Sequence, residues 1–273
     1  MPELPNVEAI RRYLVAQGLV GGTVTGVELL WPGGIRIPSE AEFRSGIVCR
    51  PIAAVRRRGK YLLMPLGGSP SRTLVLHLGM TGSLLVQRGD RVRPDHTRNV
   101  LLLDGGRELC FVDPRKLGSI WLVGDEAAVL GGLGPEPLSL TFTTEVLAES
   151  LRRRNVPVKA LLCDQAVVAG IGNIYADEVL FSAGVHPLKI GRRMSRRQVE
   201  RLHGAIVTRL AEATELLVRR APSVGPPSES EGGDEALLVP RAKGAPCSRC
   251  ETPVTRAVIR GRSAYYFQRC QRK

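Results

Sequence analysis

The apolar residues of this 273-residue chain change period near residue 131, and that switch restricts the fold more than any other feature. From 23 to about 130 the apolar runs are short and strand-like: Val24–Leu30, Lys60–Leu66, Thr73–Leu78, Ser83–Gln87, Val100–Leu103 and Leu109–Val112. Asp104-Gly105-Gly106 between the last two has the composition of a hairpin turn. Many short strands with turn residues between them predict a sandwich or a barrel. Beyond Gly131–Pro137, a hinge by its glycines and prolines, the spacing becomes helical. Pro157–Ala169 and Asn173–Ala183 are two helical patterns split by the tight turn Gly170-Ile171-Gly172. Ser195 and Gln198 form a capping box. The helix it opens carries Val199, Leu202, Ile206, Leu210, Ala213 and Leu217 along one stripe. Strands first and helices second predict an α+β, bilobal chain.

The ends are distinctive. Residues 2–18 read as one helix, with Pro5 in its first turn, Val7, Ile10 and Leu14 on one face, and Gly18 as its stop. Residues 221–235, APSVGPPSESEGGDE, lack the apolar content to pack and predict a mobile loop. The expected layout is a sandwich over 1–130, a hinge over 131–144, a helical domain over 145–220, a loop over 221–240 and a tail over 241–273. No internal repeat is present.

Composition restricts the partner. Lys and Arg exceed Asp and Glu by 13, and residues 241–273 hold nine Lys or Arg against Glu251 alone. A basic excess so concentrated favours a polyanion, with nucleic acid foremost. No run approaches the roughly 18 apolar residues of a membrane helix. Met1-Pro2-Glu3 lacks the layout of a signal peptide, and six cysteines are too sparse for a disulfide scaffold. The expectation is a cytoplasmic, monomeric protein with no membrane partner.

Removal of Met1 ahead of the small residue Pro2 would leave a secondary amine at a helix start. An α-amino group has a reference pKa of about 8, and the positive end of the helix disfavours further charge on it. A neutral secondary amine attacking a sugar C1′ forms an iminium, as a lysine Schiff base does. Glu3 stands beside it as a proton carrier.

Several motifs join that end to the rest of the chain: MPELPNVE (1–8), RGKYLL (58–63), HLGMTG (77–82), DPRKLG (113–118), KALLCDQAVVAGIGNIYADEVLF (159–181) and the cysteine-bearing tail. Their order and spacing resemble the formamidopyrimidine-DNA glycosylase / endonuclease VIII family along nearly the whole chain. The resemblance implies an N-terminal β-sandwich with flanking helices, a helix–two-turns–helix domain and a zinc-finger-like β-hairpin. It implies a bacterial, nucleoid-associated base-excision-repair enzyme on double-stranded damaged DNA, joining base removal to β,δ-elimination at the abasic site. Pro2 would be the nucleophile, Glu3 the general acid and Lys60 a phosphate-holding lysine. Met80, Arg115 and Leu117 would fill the gap left by an extruded nucleotide. Lys159, Asn173 and Arg262 would contact the DNA backbone, Asn173 as the cap of its helix.

Three positions and one segment depart from the family pattern. The glutamate expected at position 6 is Asn6, and the usual aromatic filler is Leu117. Cys247, Cys250 and Cys270 match three structural zinc ligands, while the fourth position is Phe267. Three thiolates leave two routes open: zinc with a water or a distant ligand, or a hairpin held by Tyr265, Tyr266 and Phe267. The segment 214–235 does not match the loop that covers an everted purine. The damaged base is therefore not specified, and a non-catalytic damage-binding protein, or an enzyme acting mainly on abasic sites, is the alternative.

Overall fold

The computed structural model describes residues 1–152, 154–224, 237–242 and 244–272. These form two compact units: Met1–Gly132 with a segment starting at Thr214, and Leu133–Ala213 with the C-terminal tail.

The first unit begins with helix α1 (Leu4–Ala16), with Pro5 in its first turn and Gly18 in the left-handed region just beyond it. The strands are β1 (Thr23–Leu29), β2 (Ile35–Ile37), β3 (Arg50–Pro51), β4 (Arg56–Arg58), β5 (Tyr61–Leu66), β6 (Arg72–His77), β7 (Ser83–Arg88), β8 (Thr97–Leu103), β9 (Arg107–Val112) and β10 (Ser119–Val123). One sheet has the order β3-β1-β8-β9-β7 and the other β2-β10-β6-β5-β4; only the β2–β10 pair is parallel. Every second residue of the central strands faces a shared core: Leu62, Met64 and Leu66, Leu74 and Leu76, Leu101 and Leu103, Leu109 and Phe111. Strand periodicity of two thus yields the expected sandwich. Val7, Ile10 and Leu14 of α1 join that core, as do Phe43 and Ile47 of α2 (Glu40–Ile47). Gly105 and Gly106 both have positive φ, which supplies the turn between β8 and β9.

The second unit is helical. It contains α4 (Thr144–Arg152), α5 (Val158–Leu162) and α6 (Asn173–Ala183), following the short α3 (Ala127–Leu130) of the first unit. The helix expected over 157–169 is only α5, because the chain breaks into turns from Cys163 onward. Gly184, in the left-handed conformation, ends α6. Helix α7 (Arg196–Val224) opens on the Ser195–Gln198 capping box and buries Val199, Leu202, Ile206, Leu210 and Leu217. Helix α7 continues to Val224, past residue 221, the expected start of the loop; residues 225–236 of that expectation lie outside the described residues. At its other end the chain is pinned: Leu238 and Val239 donate backbone N–H groups to Glu178 at 3.0 and 2.9 Å. The tail forms the antiparallel hairpin of β11 (Thr255–Ile259) and β12 (Arg262–Tyr266). No helix among the described residues is long and apolar enough to cross a membrane.

Candidate active site and nucleic-acid interface

In the first unit the N-terminus lies among the expected catalytic side chains. Pro2 is buried, and Glu3 and Lys60 are 2% and 5% exposed. Glu3 caps α1 with extended backbone; its N–H donates to Asn6 Oδ1 at 3.1 Å, and its carboxylate accepts from the Asn6 backbone N–H. Asn6 therefore does what a glutamate would do in a capping box, without the negative charge. Burial lowers the pKa of the Met1 ammonium; Glu3 opposes this, while Lys60 and Arg115 push it further down. Those influences place Glu3, Lys60 and Arg115 around one amine. Lys60 follows Gly59, whose φ of +57° makes the turn between β4 and β5.

Two loops carry the expected gap-filling residues. Met80 and Leu117 are 39% and 43% exposed, Arg115 is exposed, and the Arg115 guanidinium contacts Met80 Sδ at 3.4 Å. Exposed apolar side chains on short loops are unlike core residues, so Met80 is not ordinary packing. Sequence reasoning missed the residue that joins these loops. Asp113, fully buried, accepts from Thr81 Oγ1 (2.7 Å) in one loop and from the backbone N–H of Arg115 (3.3 Å), Leu117 (2.7 Å) and Gly118 (2.8 Å) in the other. Gly79, at φ +64°, lets the loops touch; a Cβ there would stand 2.5 Å from the Leu117 carbonyl carbon. His77 was also missed. Its Nδ1 accepts the Gly79 N–H at 3.2 Å. Burial, with the Lys60 charge adding to it, pushes its pKa down to about 4, so the ring is neutral and able to accept.

The second unit holds the residues expected to contact the DNA backbone. The glycine turn before α6 is held by Gln165, whose side chain accepts from Gly170 N (2.9 Å) and donates to Ile171 O (2.8 Å). Asn173 is the first residue of α6, and Gly172 is its cap, which corrects the expected capping role. Its Oδ1 is buried without a hydrogen-bond partner. Arg262 is exposed at the start of β12 and reaches Cys163 O at 3.4 Å. It lines a groove of about 500 Å³ together with Arg154, Arg260 and Gln165.

Lys159 is corrected. It is 1% exposed, and its Nζ donates to Asp177 Oδ1 and to Ser263 O, both at 2.6 Å. An ammonium so enclosed and paired is not presented to a phosphate. Burial lowers the Lys159 pKa and raises that of Asp177, each opposed by the partner's charge. Asp177 also receives Arg241 Nη1 (2.9 Å) and the Tyr265 backbone N–H (3.1 Å), so one carboxylate ties α5, residue 241 and β12 together. The adjacent Glu178, fully buried, holds Arg209 of α7 at 3.0 Å besides Leu238 and Val239. Two adjacent acids in an otherwise apolar helix are the signal that sequence reading passed over.

In the tail, Cys247, Cys250 and Cys270 bring their sulfurs within 4.8 Å of one another, close enough to bind one metal ion. Phe267 occupies the fourth position of the family pattern, fully buried, with its ring edge-on to Phe181 at 5.3 Å. Among the described residues no fourth His, Cys, Asp or Glu joins the three sulfurs. The residues therefore do not fit a closed four-ligand structural zinc site.

Known proteins share this architecture throughout. Residues 1–120 match the formamidopyrimidine-DNA glycosylase N-terminal domain, and residues 133–219 match the H2TH domain of the same enzyme. Formamidopyrimidine-DNA glycosylases of Symbiobacterium thermophilum and Pelotomaculum thermopropionicum are each 42% identical, covering 99% and 100% of this chain and 89% and 99% of theirs. A Lactococcus lactis Fpg crystal structure in complex with abasic-site DNA is 29% identical over 99% of this chain and 100% of its own, with a TM-score of 0.87. Matched over nearly its full length, the chain belongs to the formamidopyrimidine-DNA glycosylase family.

Proposed function

We propose that this DNA glycosylase of base excision repair also cleaves the abasic site it creates, through a Schiff base on Pro2. The observation that carries the reading is that Pro2, Glu3 and Lys60 are all buried, with the charges of Glu3 and Lys60 both felt at the amino end of the chain. Once Met1 is removed, the same burial and the same cation favour the neutral form of the Pro2 nitrogen. Its lone pair attacks C1′ as the damaged base leaves with the glycosidic electron pair, and the N–H proton of the resulting ammonium passes to the departing base, which restores the nitrogen lone pair. Glu3 gives its proton to the ring oxygen, the C1′–O4′ bond opens, and the iminium forms. Loss of a C2′ proton to a base then expels the 3′ phosphate, and a second elimination expels the 5′ phosphate. Lys60 holds a phosphate beside the lesion.

The target nucleotide has to leave the stack before Pro2 can reach it. Met80 and Leu117 would wedge into the vacated step, and Arg115 would face the orphaned base. Arg262 and Asn173, on the second unit, would hold the duplex by its phosphates without reading sequence. Lactococcus lactis Fpg has been crystallised with DNA carrying a formamidopyrimidine and with DNA carrying an oxidised pyrimidine. Oxidised and ring-opened bases are accordingly the substrate class proposed here.

Borohydride trapping tests the mechanism. Reduction during reaction with an abasic-site duplex is expected to yield a covalent adduct at Pro2. A form that retains Met1 is expected to yield none. A protein with a verified N-terminal proline that cleaves the strand but leaves no adduct would overturn the proposal.

A further inference from the structure

The tail differs from a four-cysteine finger in a chemically specific way. Cys270 Sγ lies 3.3 Å from Cys250 Sγ and 3.8 Å from Cys247 Sγ. Sulfurs around one ion with metal–sulfur bonds of about 2.3 Å stand about 4 Å apart, so a shift of well under 1 Å would gather all three onto one centre. The Arg249 backbone N–H points at Cys247 Sγ at 3.4 Å, a donor that favours a thiolate there. At the fourth position of the family pattern stands an aromatic ring instead of a thiolate, and Cys250 and Cys270 stay half-buried. Phe267 packs with Phe181, Val239, Val254 and Cys247 in one apolar cluster.

The fold of the tail has other supports. Tyr265 N–H is held by Asp177 at 3.1 Å, and Phe267 N–H by Gln271 Oε1 at 2.9 Å. Gln271, itself buried, donates to Val185 O at 2.9 Å. These bonds and the Phe181–Phe267 pair join the hairpin to α6 without a metal.

We propose that Cys247, Cys250 and Cys270 form a three-thiolate site for one thiophilic cation of low coordination number, and that the tail folds independently of it. Soft thiolates select ions such as Cu(I), which needs no fourth donor, whereas zinc left with three loses much of its affinity. The site is thus a binding site added to a finished fold, not the element that creates the fold.

The test uses the full-length reduced protein without oxygen, titrated with Cu(I) buffered by a competing chelator, and separately with Zn(II). One Cu(I) per chain is expected, held at least about 100-fold more tightly than by Cys250→Ser or Cys270→Ser. The melting temperature of the protein is expected to be the same with and without EDTA. Phe267→Cys is expected to raise Zn(II) affinity at least about 100-fold by supplying the fourth thiolate. The serine variants decide the matter even where Phe267→Cys fails to fold. One zinc per wild-type chain that survives dialysis against EDTA would overturn the proposal. So would Cu(I) binding no tighter than in the serine variants.

Discussion

Asp113 is the side chain whose loss tests most directly how the loops carrying Met80 and Arg115 are built. One oxygen, Oδ2, accepts the Leu117 and Gly118 N–H groups; the other, Oδ1, accepts from Thr81 Oγ1 and from the Arg115 N–H. In Asp113→Asn the cheaper orientation keeps an oxygen toward Leu117 and Gly118. The new amide then faces Thr81, whose hydroxyl can turn to accept, and Arg115, exposed enough for water to serve its N–H. Lost charge assistance and one displaced donor together cost about 2 kcal/mol. Asp113→Ala offers no acceptor at all. It leaves the buried Gly118 N–H unmet, at about 1–3 kcal/mol, and removes a charge-assisted bond from the Leu117 N–H, at about 1.5–3 kcal/mol, so about 4 kcal/mol in total. Urea unfolding is expected to rank Ala below Asn by about 2 kcal/mol. Borohydride trapping on abasic-site DNA is expected to fall in the same order, while binding to undamaged duplex changes far less, because the phosphate contacts proposed for Arg262 and Asn173 lie on the other unit. An alanine variant within about 0.5 kcal/mol of wild type, the range of ordinary surface substitutions, would refute the reasoning.

Two further outcomes follow from buried titratable groups. His77 falls from an ordinary 6.5 to about 4 in the folded chain, so the unfolded chain binds more protons between those values. Stability is therefore full above about pH 6.5 and declines by at most about 3 kcal/mol as pH falls to about 4. His77→Asn, whose Oδ1 can still accept the Gly79 N–H, is expected to flatten that slope in urea unfolding measured across the window; an unchanged slope would remove His77 as its source. Asp177→Asn leaves Lys159 and Arg241 buried with less counter-charge, and thermal unfolding is expected to report a loss of about 3–5 kcal/mol. Adding Lys159→Met to Asp177→Asn is expected to recover part of that loss by removing the buried ammonium, and a double variant as unstable as Asp177→Asn alone would contradict it.

The parts of the fold that could be read from the residues are those whose signal is local. The sandwich strands alternate because each has a face in the core, and α7 shows a 3.6-residue stripe with its capping box in plain view. Elements that escaped lack such a pattern. Arg56–Arg58 is three arginines, and Ile35–Ile37 is bounded by Gly34 and Pro38; both pair at sheet edges through backbone rather than through a buried face. Helix α2 did carry a readable start, Ser39 with Glu42, and the structure uses it as a capping box.

The candidate site divides along the same line. Pro2, Glu3, Lys60, Met80, Arg115 and Leu117 sit in short motifs, and the structure places them as an enclosed end and two exposed loops on one unit. What could not be read is the side chain that answers a distant partner. Asp113 reaches Thr81 across 32 positions, and Asp177 reaches Tyr265 across 88. Lys159 shows why this matters for function: a motif gives the residue type, but only the distant Asp177 decides whether its charge faces DNA or the domain interior. The groups proposed as catalytic are thus local in sequence, whereas their supports are not. Substitutions at the supports should therefore alter activity through loop position and stability, with the reacting atoms left in place.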